Sequence, residues 1–381
     1  MRSSLRGGVI AVLVAAWGLA ACSGGSSHGS GAGVTVSAAT PAVPPLASTE
    51  PSGTATGSAT GTATRWPITL AFGGDVHFTD YVAGLLRDPS TSLADLRPYL
   101  SGADVAMVNF ETAVTSRGTP APKDFHFRTT PEALTALQDV GVDVVTMANN
   151  HAVDYGEAGL KDTLAAVGRS SVRVVGVGAD AAQAYAPAML EVRGAKVAVL
   201  GASQLGDWTL SAWSATANRA GIASAATLDR LTASVRRARS QADVVVVYLH
   251  WGTDYTTCPT ALQRRTAEAL SAAGADVIVG SHAHRLQAGG WLGGSYVDYG
   301  LGNFIWWRSR GLDATTGVLT LTVDQPAGAS RAGVTKASFA PLTIAADGVP
   351  RAGSAQATSS AQAAWKQLRG CSGLSAAPSN G

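Results

Sequence analysis

The sequence predicts an α/β fold in which mixed β-sheets are covered by helices on both sides. Apolar, strand-like runs alternate with helical stretches in the first part of the folded region, and strands cluster towards its end. The chain has 381 residues, of which 46% are hydrophobic and 14% are charged, so it can bury a sizeable core. These observations exclude wholesale disorder and favour one large domain or two small ones.

The first residues have the pattern of an export signal. Arg2 and Arg6 form a positive segment, and the apolar segment 9–16 after it is too short to span a membrane. The segment Leu19-Ala20-Ala21-Cys22 then matches a bacterial lipobox. We therefore expect residues 1–21 to be a lipoprotein signal peptide, Cys22 to carry the lipid, and the protein to lie at the outer face of the cell membrane. The alternative is an ordinary secretory signal with an incidental cysteine.

Residues 22–64 consist mainly of Ser, Thr, Gly, Ala and Pro and offer almost nothing to bury. This composition predicts a disordered tether with a reach of roughly 35 Å. The tether precedes a folded domain that we place at 65–370. The small, polar residues 371–381 are expected to form a flexible tail.

Within the folded domain, apolar and β-branched runs predict the strands and longer amphipathic stretches predict the helices. Pro131 at a first turn and the apolar spacing of 228–239 are typical of helices. The predicted strands are 68–72, 104–108, 142–147, 172–177, 189–192, 196–200, 244–248, 277–279, 296–299, 318–323 and 334–344. The predicted helices are 81–86, 93–100, 131–140, 228–239, 262–272 and 361–368.

The net charge and the cysteine content limit the possible partners and disulfide bonds. The formal net charge is +2, and removal of Arg2 and Arg6 with the signal peptide would bring it to 0. No run of Lys or Arg is present, so nucleic acid is not expected as a partner, and the membrane is expected only through the lipid anchor. Apart from Cys22, the cysteines are Cys258 and Cys371, which either form one disulfide in an oxidising compartment or remain two separate thiols.

Histidine placement predicts the functional site. Seven histidines occur in the chain, and five of them follow an apolar strand-like run: His77, His151, His250, His282 and His284. Asp75, Glu111 and Asn150 lie in the same kind of position. Because ligands of α/β sheets bind beyond the carboxyl ends of the strands, we expect these side chains to share one crevice. Any one of the histidines taken alone is better explained as a structural or surface residue, and it is their shared placement that favours a ligand role for the group.

This set is rich in imidazole and carboxylate and contains no thiolate, which suits Zn, Mn or Fe. It is large enough for two divalent ions, which can share a carboxylate and activate water between them. The predicted metal ligands are Asp75, His77, Glu111, Asn150, His250, His282 and His284. His151 is expected to transfer a proton beside the metal, and Asp154 to orient His151. The alternative role for Asp154 is an N-cap of the following helix.

Several motifs, taken in order, resemble the CapA-type poly-γ-glutamate capsule proteins of the calcineurin-like metallophosphoesterase superfamily. They are Gly74-Asp75, Asn109-Phe110-Glu111, the segment 148–156 with Asn150-His151, His250-Trp251-Gly252-Thr253-Asp254-Tyr255, Gly280-x-His282-x-His284 and Gly300-Leu301-Gly302-Asn303-Phe304. The resemblance covers roughly 68–306. It implies a metallophosphoesterase-like sandwich of two mixed β-sheets flanked by helices. Asn109 and Glu111 stand where the superfamily has its bridging aspartate.

The resemblance gives three hypotheses for the function. The first is a metal-dependent hydrolase or transferase acting in the synthesis, transfer or trimming of poly-γ-glutamate or a related anionic envelope polymer, alongside capsule-synthesis membrane subunits. The second is a phosphoesterase that cleaves nucleotides or phosphorylated envelope components as small hydrolysable substrates. The third is a non-catalytic polymer-binding or assembly subunit. Arg128 and the pair Trp306-Trp307 either line a carboxylate-binding groove or belong to the core and its rim.

Overall fold

The structure, a computed structural model, describes residues 65–379. The predicted signal peptide, the lipidation site Cys22 and the predicted tether lie outside the described residues. Among the helices within 65–379, none is long and apolar enough to cross a membrane.

Eighteen strands occur between residues 65 and 379. In chain order they are β1 Ile68–Val76, β2 Val105–Phe110, β3 Ala113–Val114, β4 Arg128–Thr129, β5 Val144–Thr146, β6 Arg173–Val175, β7 Val177–Gly178, β8 Ala188–Val192, β9 Ala195–Ser203, β10 Gly221–Ile222, β11 Val244–Trp251, β12 Val277–His282, β13 Gly289–Leu292, β14 Ser295–Asp298, β15 Asn303–Ile305, β16 Thr315–Asp324, β17 Gly333–Ile344 and β18 Pro350–Arg351.

The α-helices of the described residues are α1 Pro89–Ser92, α2 Arg97–Leu100, α3 Glu132–Asp139, α4 Gly156–Val167, α5 Ala181–Ala184, α6 Trp208–Trp213, α7 Asp229–Arg239, α8 Ala261–Ala273 and α9 Ala355–Gln367. Short 3₁₀ helices cover Asp80–Arg87, Ala94–Leu96, Gly311–Ala314 and Leu368–Cys371. Helix α8 begins with a full capping box, in which Thr260 and Gln263 satisfy each other's backbone N–H groups.

The strands form two main sheets, each of mixed direction. The first has the order β18-β17-β16-β1-β2-β5-β6, with β15 also paired to β1. The second has the order β13-β14-β12-β11-β9-β8. Strand β1 is parallel to β2 and antiparallel to β16, whereas β11 is parallel to both β9 and β12. The predicted fold class of two mixed sheets flanked by helices is therefore confirmed.

Side-chain alternation along the strands builds three cores. In β11, Val244, Val246 and Tyr248 face the first sheet across the core between the sheets. The intervening residues Val245 and Val247 pack on the opposite face, in the core that also contains residues of α7 and α8. A third core lies between the outer face of the first sheet and helices α3 and α4. The two sheets thus lie face to face, and helices cover both outer surfaces.

The strands that lead to the predicted site extend further than the apolar runs suggest. Backbone pairing continues past the apolar residues, with Asp75 opposite Asn303 and His250 opposite Ser281. Asp75, His250 and His282 therefore lie in the last residues of strands, not beyond them. Helix α4 was not predicted as an element, because its buried residues are few and mostly small or polar. The short helix α6 was not predicted either, although it contains Trp208, Leu210 and Trp213.

The prediction of a flexible tail from residue 371 is wrong for its first part. Residue 375 pairs with β13 through two backbone hydrogen bonds between Ser375 and Trp291, of 2.8 and 2.9 Å. Leu374 is buried against the second sheet, and Cys371 is disulfide-bonded. Composition alone does not reveal this attachment, since it depends on a covalent bond and on the exposed edge of β13.

A disulfide joins Cys258 and Cys371, whose Cα atoms are 5.8 Å apart. It ties the loop that follows β11 to the C-terminal segment across a sequence separation of 113 residues. Replacing both cysteines with serine is expected to lower the free energy of unfolding by about 4 to 5 kcal/mol at most, because the unfolded chain gains freedom. Thiol titration of the denatured protein should detect neither cysteine as free, and two reactive thiols from this pair would contradict the bridge.

Candidate metal centre

The two sheets meet at the predicted site through their strand ends. The backbone N–H of His282, at the end of β12, donates to Asp75 Oδ2 in β1 at 3.1 Å. The hydroxyl of Tyr248 in β11 donates to the carbonyl of Gly73 at 2.8 Å. Side chains from both sheets are therefore held at one edge of the sandwich, as expected for ligand sites of α/β folds.

Two glycines allow this close approach. A Cβ at Gly74 would lie 2.0 Å from the carbonyl oxygen of Gly302, which would push β1 and β15 apart just before Asp75. A Cβ at Gly280 would lie 2.0 Å from Trp251 Nε1, two residues before His282 at the end of β12. Both glycines are thus required where the backbone positions ligand-type side chains.

The first ligand group consists of Glu111, His250 and His282. Each offers one ligand atom, and the three atoms lie within 4.8 Å of one another. Glu111 Oε1 is 3.5 Å from His250 Nε2, yet it is buried and has no hydrogen-bond partner. A buried carboxylate oxygen in that state is costly unless a cation satisfies it.

The second ligand group consists of Asp254, His282 and His284, again within 4.8 Å of one another. The Asp254 carboxylate is 3.1 Å from His282 Nε2. His282 and His284 both have left-handed backbone, with φ of 94° and 51°. Such strain in residues other than glycine is found at functional sites, where the surrounding structure maintains it. His282 belongs to both groups. Its neutral ring has one free nitrogen lone pair, so it would serve two ions only as an imidazolate that uses both ring nitrogens.

The electrostatics of the site fit a divalent cation. Burial raises the pKa of Glu111 well above its usual range, and the neighbouring Asp75 carboxylate adds to the effect. Burial lowers the pKa of His250 to about 4 and the pKa of His282 well below its usual range, so both rings are neutral. Neutral imidazole is the metal-binding form, and a cation would offset the charge of two buried carboxylates.

Amide side chains complete the site. Asn109 Nδ2 donates to Asp75 Oδ1 at 2.7 Å, so Asn109 links the two carboxylate-bearing strands. Asn150 Oδ1 lies 2.8 Å from His250 Nε2, which places the amide oxygen beside the first ligand group. Asn149 donates to Asn109 Oδ1 at 3.0 Å and holds that side chain in place. Asp75 and Asn150 thus lie next to the ligand groups, and their role as metal ligands stays a prediction.

His151 lies beside the ligand groups and is oriented by Asp154. Its Nδ1 is 2.6 Å from Asp154 Oδ2, while its Nε2 points towards Glu111 Oε1 at 3.8 Å. Asp154 also accepts from the backbone N–H of Phe127 at 2.6 Å and pairs with Lys123 at 2.5 Å. Helix α4 receives no side-chain cap, so the alternative role of Asp154 as an N-cap is wrong.

His77 is placed differently from the other predicted ligands. Its ring is buried between aromatic side chains, stacked on Phe127 at 4.2 Å and edge-on to Trp306 at 4.3 Å. Its Nδ1 accepts from the backbone N–H of Thr79 at 3.1 Å, and it belongs to neither ligand group. The bulged end of β1 turns this side chain away from Asp75. His77 was expected to be a metal ligand, and the structure instead places its ring in an aromatic cluster outside both groups.

Three residues at the site were not predicted to take part in it. Asp254 supplies the carboxylate of the second group, from a loop with no strand pattern. Asn303 Oδ1 lies 2.7 Å from His284 Nδ1, and Lys123 contacts Asp154 from a loop 31 residues earlier in the chain. The motifs containing Asp254 and Asn303 were recognised, but a role for either residue depends on loop geometry that spacing does not encode.

A protein-family model matches most of the folded region. The family model described as bacterial capsule synthesis protein PGA_cap matches residues 69–306. The chain belongs to this family. The matched segment of the PGA_cap chain contains both ligand groups, His151 and Asp154.

Two curated relatives of this PGA_cap chain come from Bacillus. The PGA biosynthesis protein CapA of Bacillus subtilis is 32% identical over 252 residues, which cover 64% of this chain and 65% of the relative. The capsule biosynthesis protein CapA of Bacillus anthracis is 30% identical over 256 residues, covering 64% of this chain and 62% of the relative. The chain thus spans slightly less than two thirds of each relative.

Among solved structures, the PGA_cap chain is similar to the calcineurin-like phosphoesterase YfkN from Bacillus subtilis. The match has 14% identity and a TM-score of 0.46, and covers 80% of this chain and 98% of that one. A phosphatase from Mycoplasma pneumoniae also matches, with 14% identity, a TM-score of 0.46 and coverage of 73% and 94%. Both similarities are low in sequence and in geometry.

Proposed function

We propose that this protein is a divalent-metal-dependent hydrolase or transferase that acts on poly-γ-glutamate or a related anionic polymer of the cell envelope. The observation that carries the proposal is the pair of ligand groups that share His282, with His151 directed at them. The substrate class is supported by membership of a capsule synthesis family. Polymer binding without catalysis would not explain why a buried Glu111 oxygen without a hydrogen-bond partner lies beside the oriented His151.

In this proposal Glu111, His250 and His282 would hold one ion. Asp254 and His284 would hold a second, with the other ring nitrogen of His282 in its imidazolate form, and Asp75 and Asn150 lie adjacent. Divalent ions supply charge stabilisation for a reacting carbonyl or phosphoryl oxygen and lower the pKa of water. Asp154 fixes the ring of His151 so that Nε2 faces the reacting groups. His151 can then exchange a proton with the substrate through that nitrogen.

Parallel activity assays test the proposal. The purified protein would be freed of metal with a chelator, reloaded with Mn²⁺ or Zn²⁺, and incubated with poly-γ-glutamate and with a generic aryl phosphodiester. We expect the polymer to be shortened or its ends transferred only in the reloaded sample, with the metal-free sample as the control. Cleavage of the phosphodiester alone would favour a phosphoesterase, and no turnover of either substrate would favour a binding subunit.

We also propose that the protein is tethered outside the cell through a lipid on Cys22, close to capsule-synthesis membrane subunits. Since the thiol of Cys22 is the acylation point of the lipobox, Cys22→Ala is expected to abolish lipid attachment. Metabolic labelling with a fatty-acid analogue measures this, with the unmodified chain as reference. Equal labelling of the two forms would contradict the anchor.

A further inference from the structure

A cleft of about 220 Å³ opens directly beside the ligand groups. Its walls are mainly aromatic and include His151 and His284 of the site together with Phe125, Phe127, Tyr255, Trp306 and Trp307. Trp306 lies 4.9 Å from the His284 ring, so the walls continue from the proposed metal centre to the surface. Phe125 is 57% exposed and Tyr255 is 61% exposed, which puts two large aromatic side chains in solvent at the mouth.

Arg308 lies at the mouth of this cleft in a defined position. Its guanidinium stacks over the Trp307 ring at 4.0 Å. Its backbone is left-handed, with φ of 53°, and its N–H donates to the Tyr81 hydroxyl at 3.1 Å. A non-glycine residue in this conformation is held by its surroundings, so the fold sets the position of the Arg308 backbone from which the side chain extends.

The charge of Arg308 is available to a ligand. Apart from the histidines, the charged residues that line the cleft are Arg308 and Asp313, and Asp313 is paired with Arg285 at 2.9 Å. Arg308 has one carboxylate near it within the described residues, Asp80 at 3.7 Å. Both side chains of that pair are largely in solvent, where ion pairs are weak, so a ligand can displace Asp80 at little cost.

We propose that Arg308, stacked on Trp307, is the carboxylate-binding subsite of this cleft and determines its specificity for an acidic polymer. This inference rests on the proposed function and narrows its substrate class. A γ-linked glutamate chain offers one free carboxylate and two methylenes per unit. The planar guanidinium matches the carboxylate, and the aromatic walls match the methylenes.

Tryptophan fluorescence can measure binding without any turnover, because Trp306 and Trp307 line the cleft. The metal-free protein would be titrated with a short oligomer of γ-linked glutamate, with its methyl ester and with an oligomeric phosphodiester. We expect Arg308→Gln to raise the Kd for the acid about tenfold or more, since a charge-assisted contact is lost. Arg310→Gln is the matched control, because Arg310 lies on the same exposed loop but outside the cleft. The Kd of this variant for the acid should equal that of the unmodified protein.

The outcomes separate this inference from the proposed function. Weaker binding in Arg308→Gln, but not in Arg310→Gln, supports the subsite even where the metal-loaded protein turns over no polymer. Equal Kd values for the two variants would overturn it, even where the polymer is cleaved. Binding of the methyl ester as tightly as the acid, or tighter binding of the phosphodiester, would also overturn it. Far-UV circular dichroism of both variants checks that they are folded.

Discussion

Replacing His282 with alanine is expected to remove metal from both ligand groups, whereas His284→Ala should empty only the second. His282 supplies an imidazole to both groups, while His284 contributes to one. Since even outer contacts of metal sites contribute up to about 100-fold in affinity, losing a direct ligand from each group should cost at least that much. Metal content by mass spectrometry after dialysis against limiting Mn²⁺ or Zn²⁺ measures the effect.

His126→Ala provides the matched control for these variants. His126 is near the site in sequence, but its Nε2 contacts the carbonyl of Ala121 at 2.6 Å and the residue belongs to neither ligand group. Its removal should leave metal content unchanged. Full metal occupancy in a His282→Ala, His284→Ala double variant would mean that the ions are not held here.

Replacing His151 with alanine is expected to slow turnover by ~10² to 10⁴-fold and leave metal content nearly intact, as for loss of a general acid or base. His151 faces Glu111 at 3.8 Å but belongs to neither ligand group. Measuring both kcat and bound metal in the same preparation distinguishes a role in proton transfer from a role as a metal ligand. Asp154→Asn should retain metal as well and lose part of the rate, because the His151 ring is no longer held by a carboxylate.

Two results would contradict this role for His151. The first is a His151→Ala variant with unchanged kcat on the substrate that the wild type turns over. The second is a loss of bound metal equal to that of His282→Ala, which would make His151 a ligand. His151 also stacks on Phe127 at 4.0 Å, so thermal unfolding of the variant shows whether lost packing accounts for a change.

The fold was largely predictable because its cores are built on strong periodic patterns. The run 244–248 is β-branched and aromatic, and its alternate residues fill two different cores of the structure. The same reasoning missed α4, whose buried residues are Gly159, Leu160, Thr163 and Ala166. Small and polar side chains of that kind give a weak apolar stripe. The docking of residues 371–375 depends on a disulfide and on an open strand edge, which local pattern does not encode.

The site was predictable where a ligand-type residue ends a strand. Glu111, His250 and His282 come together because the ends of their strands meet at one edge of the sandwich. His77 follows the same rule in sequence, but a bulge at the end of β1 directs its ring into an aromatic cluster. Asp254 comes from an irregular loop whose backbone is fixed by tertiary contacts, including Tyr255 N–H to the Ala283 carbonyl at 2.8 Å.

The most direct test of the central claim is anomalous diffraction from crystals of the protein grown with Mn²⁺ or Zn²⁺. We expect one anomalous peak between Glu111, His250 and His282 and a second next to Asp254 and His284. Both peaks should lie beside the His282 ring, which belongs to both groups. A structure with no peak at this edge of the sandwich, or with His250 and His282 far apart and no pocket between them, would contradict the metal centre.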